Sequence, residues 1–157
     1  AARNAEYQHM GTTLVCAVTR PDMAIIGNIG DSRAYHITAE GIFQISRDHS
    51  VVENMVAKGD LTPLEARTHP NRNLITRALG PDIHAKADTF ELPWHKDEFL
   101  LLCSDGLVNT VSDQEMLFEV LHDGDVNECL DHLLQISLQR GAPDNITAVL
   151  LLNEEGR

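Results

Sequence analysis

The 157-residue sequence predicts an α+β fold. Between residues 12 and 45, four short runs rich in β-branched and apolar residues are separated by tight turns, the pattern of an antiparallel sheet. The apolar period then switches to helical at Ser50 and again at Ser112, and returns to strand texture over Ile146 to Leu152. The length suits one folding unit with its own hydrophobic core and is short for two.

The first ten residues are polar without a clear period and read as the tail of a helix or a loose terminus. Thr12 to Thr19 reads as a strand that stops at Arg20-Pro21-Asp22, and Met23 to Ile29 as its hairpin partner. After Gly30-Asp31, Ser32 to Ile37 alternates as a third strand, and Ala39-Glu40-Gly41 separates it from a fourth at Ile42 to Ile45. Ser50 with Glu53 makes a capping box for a helix whose apolar face is Val52, Met55 and Val56 and whose stop is Gly59. Thr62 as N-cap, Pro63 at the first helical position and Glu65 start a second short helix that ends at His69-Pro70. Segment 50–72 carries little apolar material, which places it over the domain rather than in its core.

Strand texture resumes over Ala85 to Leu92 and Glu98 to Cys103. Ser112 with Glu115 caps a helix with an inner stripe of Leu117, Val120 and Leu121. Asp125 caps another, with Leu130, Leu133, Leu134 and Leu138 as its stripe and Gly141 closing it.

With 24 acidic residues against 12 Lys and Arg, the net charge of −12 repels nucleic acid and anionic membrane and favours cationic partners such as divalent metals. Acidic surfaces that merely keep a protein soluble have the same composition. Three cysteines, Cys16, Cys103 and Cys129, are an odd number at wide spacings, and point to a reducing, cytoplasmic setting. No apolar run approaches the roughly 18 residues of a membrane span, and no targeting segment is recognisable.

The chemistry centres on Phe99 to Leu107, an apolar run that breaks into Ser104-Asp105-Gly106 and so delivers a carboxylate to the end of a buried strand. Two more acidic turns, Gly30-Asp31-Ser32 and Pro143-Asp144-Asn145, stand beside apolar strands. Hard oxygen ligands of this kind suit Mg²⁺ or Mn²⁺, which retain waters that can be activated as nucleophiles. Each turn taken singly is also ordinary turn chemistry. The eight histidines show no ligand spacing, and His49 reads as structural within its turn, with contact to substrate or a metal-bound water as the alternative. Arg33 and Arg77 read as partners of carboxylates within the fold, with phosphate as the alternative.

Taken together, Gly11-Thr12-Thr13, Gly27 to Tyr35, Asp48-His49-Ser50, Asn73 to Gly80, Leu101 to Leu107 and Gly141 to Thr147 occur in an order that resembles the PPM family of metal-dependent, type 2C Ser/Thr protein phosphatases, in its compact bacterial form. The resemblance spans nearly the whole chain. It implies a sandwich of two antiparallel β-sheets flanked by helices. It implies metal-dependent hydrolysis of phosphoserine or phosphothreonine in proteins by a metal-activated water, opposed by a Ser/Thr kinase. Asp105 and Asp144 would then be ligands of a two-ion Mn²⁺ or Mg²⁺ centre, Asp31 with Asp105 would hold a third, weaker ion, and 50–72 would be the flap beside the site. Cys103 reads as core.

The resemblance also places residues 1–157 in the carboxy-terminal portion of the catalytic domain. The family's upstream phosphate-gripping Arg, its acidic residue near the amino terminus and its ion-bridging Asp-Gly turn have no counterpart in these residues. Two rivals follow: a non-catalytic fragment or pseudo-phosphatase that binds a phosphoprotein or partner, and a structural domain that binds divalent ions. Exposed sheet edges and apolar faces are expected in either case.

Overall fold

Turn chemistry decides where this chain folds back. The fold, taken from a computed structural model, is described for residues 10–82, 84–122 and 125–155, so the reading of residues 1–9 as helix tail or loose terminus lies outside the described residues. Strands β1 (Leu14–Arg20) and β2 (Met23–Ile29) form the expected hairpin about Pro21-Asp22, in register from Leu14↔Ile29 to Arg20↔Met23. At Gly30 the backbone turns to φ +109°, and a Cβ there would lie 2.3 Å from Cγ2 of Thr13. Only glycine fits both demands.

That turn carries the chain out of the first sheet. The next hairpin, β3 (Arg33–Thr38) and β4 (Gly41–Gln44), builds a second one, so the four runs do not share a sheet as their texture suggested. Strand β5 (Asp88–Pro93) completes the order β1-β2-β5, and β6 (Phe99–Cys103) with β7 (Ala148–Leu152) completes β4-β3-β6-β7, all antiparallel. The expected strand from Ala85 starts only at Asp88, because Ala85 N–H bonds Asp82 O in a turn and Lys86 O accepts from Arg77.

The helical caps sit where the sequence placed them. Helix α1 (Val51–Lys58) starts from Ser50, whose Oγ accepts from Glu53 N–H, and stops at Gly59 with φ 82°. Its box is half made, since the Glu53 carboxylate pairs with Arg47 instead. Helix α2 (Pro63–Thr68) has both halves of the box between Thr62 and Glu65. Helix α4 (Asp113–His122) begins at the Ser112–Glu115 box and α5 (Val126–Gln139) at Asp125. A further single turn, α3 (Asp105–Val108), occupies what read as a plain turn.

The sheets pack face to face, and α4 and α5 cover the outer face of the second. Ala24, Ile26, Ala34, Leu92, Trp94 and Leu100 fill the space between sheets, while Tyr35, Ile37, Leu101, Met116, Cys129 and Leu133 fill the space under the helices. Two stripes differ from expectation. Met116, Leu117 and Val120 line α4 while Leu121 is exposed, and Cys129, Leu130, Leu133 and Ser137 line α5 while Leu134 and Leu138 face outward. Ser137 is buried because its hydroxyl bonds Leu133 O and meets the Thr110 hydroxyl at 2.8 Å. Segment 50–72 buries only Ser50 and Val52 and lies over the domain, as expected. On β1, an edge strand, Leu14 and Val18 are exposed.

The corrected stripe has a measurable consequence. Leu133→Ala is expected to cost about 2–5 kcal/mol in urea unfolding, whereas Leu138→Ala should stay within about 0.5 kcal/mol. Equal costs would restore the all-leucine stripe.

Candidate metal centre

The site is assembled by contacts between two loops. Where β6 ends, Ser104 N–H bonds Thr147 O at 2.9 Å, and the Ser104 hydroxyl accepts from Thr147 N–H at 3.0 Å and donates to Asn145 O at 3.2 Å. Gly106 allows this approach, since a Cβ on it would lie 2.3 Å from Asn145 O. The Asp105 turn and the Asp144 loop are thereby pressed together. Asp31 arrives from the Gly30 turn, at the same end of the second sheet.

The electrostatics report the proximity. Burial pushes the Asp105 carboxyl up, and the charges of Asp144 and Asp48 push it further. Burial also pushes Asp31 up, followed by the charge of Asp105 and then that of Asp48. The three predicted residues thus form a string, Asp144 to Asp105 to Asp31. They do not form a cage: among the described residues no three His, Cys, Asp or Glu side chains converge to hold an ion by themselves. Asp144 is exposed, and its Oδ1 accepts from Asn145 N–H at 2.7 Å.

Asp31 and Asp105 sit at one side of a groove of about 390 Å³ whose other wall is α1, α2 and residues 72–73. Asp48, Asp113, Arg67 and Arg72 also line it. Arg67 reaches Asp113 at 3.9 Å, joining α2 to α4.

Asp48 and Asp113 are not among the ligand candidates that the sequence pattern singles out. Asp48 had a signal, its place in Asp48-His49-Ser50. Asp113 had none beyond following an N-cap. Asp48 is paired: Arg33 Nε lies 3.0 and 3.1 Å from its two oxygens, and Nη2 is 2.7 Å from Oδ2. Burial alone would lower the Arg33 pKa, but its bonds to Asp48 raise it overall. Arg77 donates to Asp88 Oδ1 at 2.7 Å. Both arginines therefore pair with carboxylates, as expected. Burial pushes the Cys103 thiol up to about 12, so it is core and not a nucleophile.

Comparison with known proteins agrees with this architecture. The model of the family described as Protein phosphatase 2C matches residues 1–150. The serine/threonine phosphatase Stp of Listeria monocytogenes is 36% identical over 160 aligned positions, covering all of this chain and 64% of that protein. The crystal structure of a bacterial serine phosphatase superimposes with a TM-score of 0.93 at 42% identity, over 100% of this chain and 64% of that one. The catalytic domain of the serine/threonine phosphatase PstP, in complex with two manganese ions, gives 0.81 at 34% identity over 91% of this chain and 59% of that one. The chain thus spans somewhat less than two thirds of the length of these relatives. With the family model matched over nearly the whole chain and the same two-sheet sandwich in solved members, the chain belongs to the protein phosphatase 2C family.

Proposed function

We propose that this chain supplies the Asp31, Asp105 and Asp144 side of the metal centre of a phosphoprotein phosphatase that hydrolyses phosphoserine and phosphothreonine and opposes a Ser/Thr kinase. The observation that carries the reading is the string of three carboxylates, two of them lining the groove and raised by burial and by the charge of a neighbouring aspartate, Asp105 for Asp31 and Asp144 for Asp105. A fold gains nothing in stability by gathering like charges, so a cation is the natural complement. Mg²⁺ and Mn²⁺ are commonly held by one or two carboxylates and several waters, a demand that neighbouring pairs meet without a cage. The manganese complex of PstP supports the choice of ion.

In this reading Asp105 and Asp144 hold the two catalytic ions, and Asp31 with Asp105 a third. Bound ions supply neutralisation of the phosphate oxygens and an activated water. The chain's own residues do the rest. Gly106 and Ser104 hold the two loops at fixed separation, Arg33 keeps Asp48 from adding its full charge, and the groove under α1 and α2 excludes water from one side of a bound peptide.

The exposure of Asp144, whose Oδ1 accepts from Asn145 N–H, favours a second reading for the chain taken by itself, that of a non-catalytic binder. The two readings part on activity. A protein carrying this chain within the full length of its relatives should release phosphate from a phosphothreonine peptide only with Mn²⁺ or Mg²⁺, and Asp105→Asn and Asp144→Asn should each lower turnover by roughly 100-fold or more. Undiminished turnover in either variant would sink the site assignment. The 157-residue chain by itself should show little or no turnover and weak ion binding at most, and two tight sites by calorimetry would overturn that.

A linkage test needs no substrate. Carboxyls raised on folding destabilise above their folded pKa and cease to do so below the unfolded value, so their cost is present at neutral pH and relieved as pH falls toward the ordinary carboxylate range. Asp105→Asn should therefore raise the metal-free Tm at pH 7 by about 2–4 °C, for a half-buried group worth up to about 1 kcal/mol. The gain should shrink toward pH 4 and reverse with excess Mn²⁺. A variant less stable than the parent in chelator at pH 7 would refute the repulsion.

A further inference from the structure

His49 is buried, at 6% exposure, and every one of its polar groups is engaged. Its backbone N–H donates to Gly30 O at 2.8 Å and its carbonyl accepts from Thr76 N–H at 2.7 Å. Its ring Nδ1 lies 3.0 Å from Gly30 N and its Nε2 lies 3.1 Å from Asp88 Oδ2. A backbone N–H only donates, so Nδ1 must carry the lone pair and the ring proton must sit on Nε2, facing Asp88. Asp88 is held in turn by Arg77.

Gly30 is thus bonded to His49 through both its N–H and its carbonyl, immediately before Asp31. Asn28 adds a third tie from the same stretch, donating to Arg47 O at 3.0 Å. We propose that His49 is a positioning residue for the metal turn: its neutral ring, oriented by Asp88, holds the Gly30 amide and thereby sets the place of Asp31 beside Asp105. The same residue roots segment 50–72, because His49 and Val51 pair with Thr76 and Leu74 where that segment leaves and returns. The proposal rests on the reading of Asp31 as an ion ligand.

Two substitutions separate the ring's two bonds. His49→Asn puts an amide oxygen near the place of Nδ1 and keeps an acceptor for Gly30, losing the donor to Asp88. His49→Gln puts an amide N–H near the place of Nε2 and keeps the donor, losing the acceptor. A merely structural role would make the two alike, since each gives up one ring bond. The probe is Mn²⁺ alone, titrated into the 157-residue chain while paramagnetic broadening of backbone amide signals is followed by NMR.

The Asp31 amide should broaden in the unmodified chain and in His49→Asn at Mn²⁺ concentrations within about 3-fold of each other, and require roughly 10-fold or more in His49→Gln. Equal losses, or a greater loss in His49→Asn, overturn the role of His49 and leave the ion reading standing. No broadening near Asp31, Asp105 and Asp144 in the unmodified chain overturns the ion reading and the role of His49 with it. The ring itself gives a test that needs no variant. Two-bond ¹⁵N–¹H correlations should show the His49 proton on Nε2, and a proton on Nδ1 overturns the proposal.

Discussion

The site depends on a strand that has no exposed face. Leu100 and Leu101 of β6 are both fully buried, one between the sheets and the other under the helices, and Leu102 and Cys103 continue the same division. Burial on both sides makes β6 rigid, but it also removes the polar alternation that normally fixes register. Register is set at the strand's ends instead. Ser104 bonds Thr147 at one end, and at the other Asn153 N–H bonds Glu98 O while Asp97 N–H bonds Asn153 O. A shift of one residue would break both sets and carry Asp105 away from Asp144.

Rigidity matters because the fold gathers charge that repels. Ion pairs engage other acids: Arg33 takes Asp48, Arg77 takes Asp88 and Arg140 takes Glu115. Among the described residues no such pair forms at Asp31, Asp105 or Asp144. In a chain of net charge −12 that contrast is informative, since placing one of the scarce basic groups beside them would relieve the repulsion and also block a cation. On the proposed reading of these carboxylates as ion ligands, the repulsion is retained because a bound cation offsets it.

Much of this was legible in the sequence wherever local chemistry decides. The caps at Ser50, Thr62, Ser112 and Asp125 and the stop at Gly59 are local signals, and the structure has them in place. The division of four strands between two sheets was not legible, because strand texture carries no information about which strand will be the partner. The helix stripes differ for a related reason: hydrophobicity favours Leu134 and Leu138 over Cys129 and Ser137, but the face of α5 that packs on the sheet holds Cys129, Leu133 and Ser137, the last with its hydroxyl bonded within its own helix. The three carboxylates were legible as strand-end turns in a recognisable order. Asp113 was not, because what brings it to the groove is the packing of α4.

The groove's two sides are not independently supported. Asp31 follows Gly30, and segment 50–72 begins one residue after His49; these two supports are bonded to each other through both backbone and ring. Gly30 cannot relax alone, because its left-handed backbone is packed against Thr13. His49 cannot relax alone either, because Asp88 and Arg77 tie its ring to β5 and to the segment after α2. The groove's two walls, α1 with α2 on one side and the carboxylates on the other, therefore have a common root, so their separation is set by the first sheet and not by the stability of two short helices. If the proposed phosphatase reading holds, this fixed separation is what positional catalysis requires, and an arrangement with an independently mobile wall would have to restore it at each binding event.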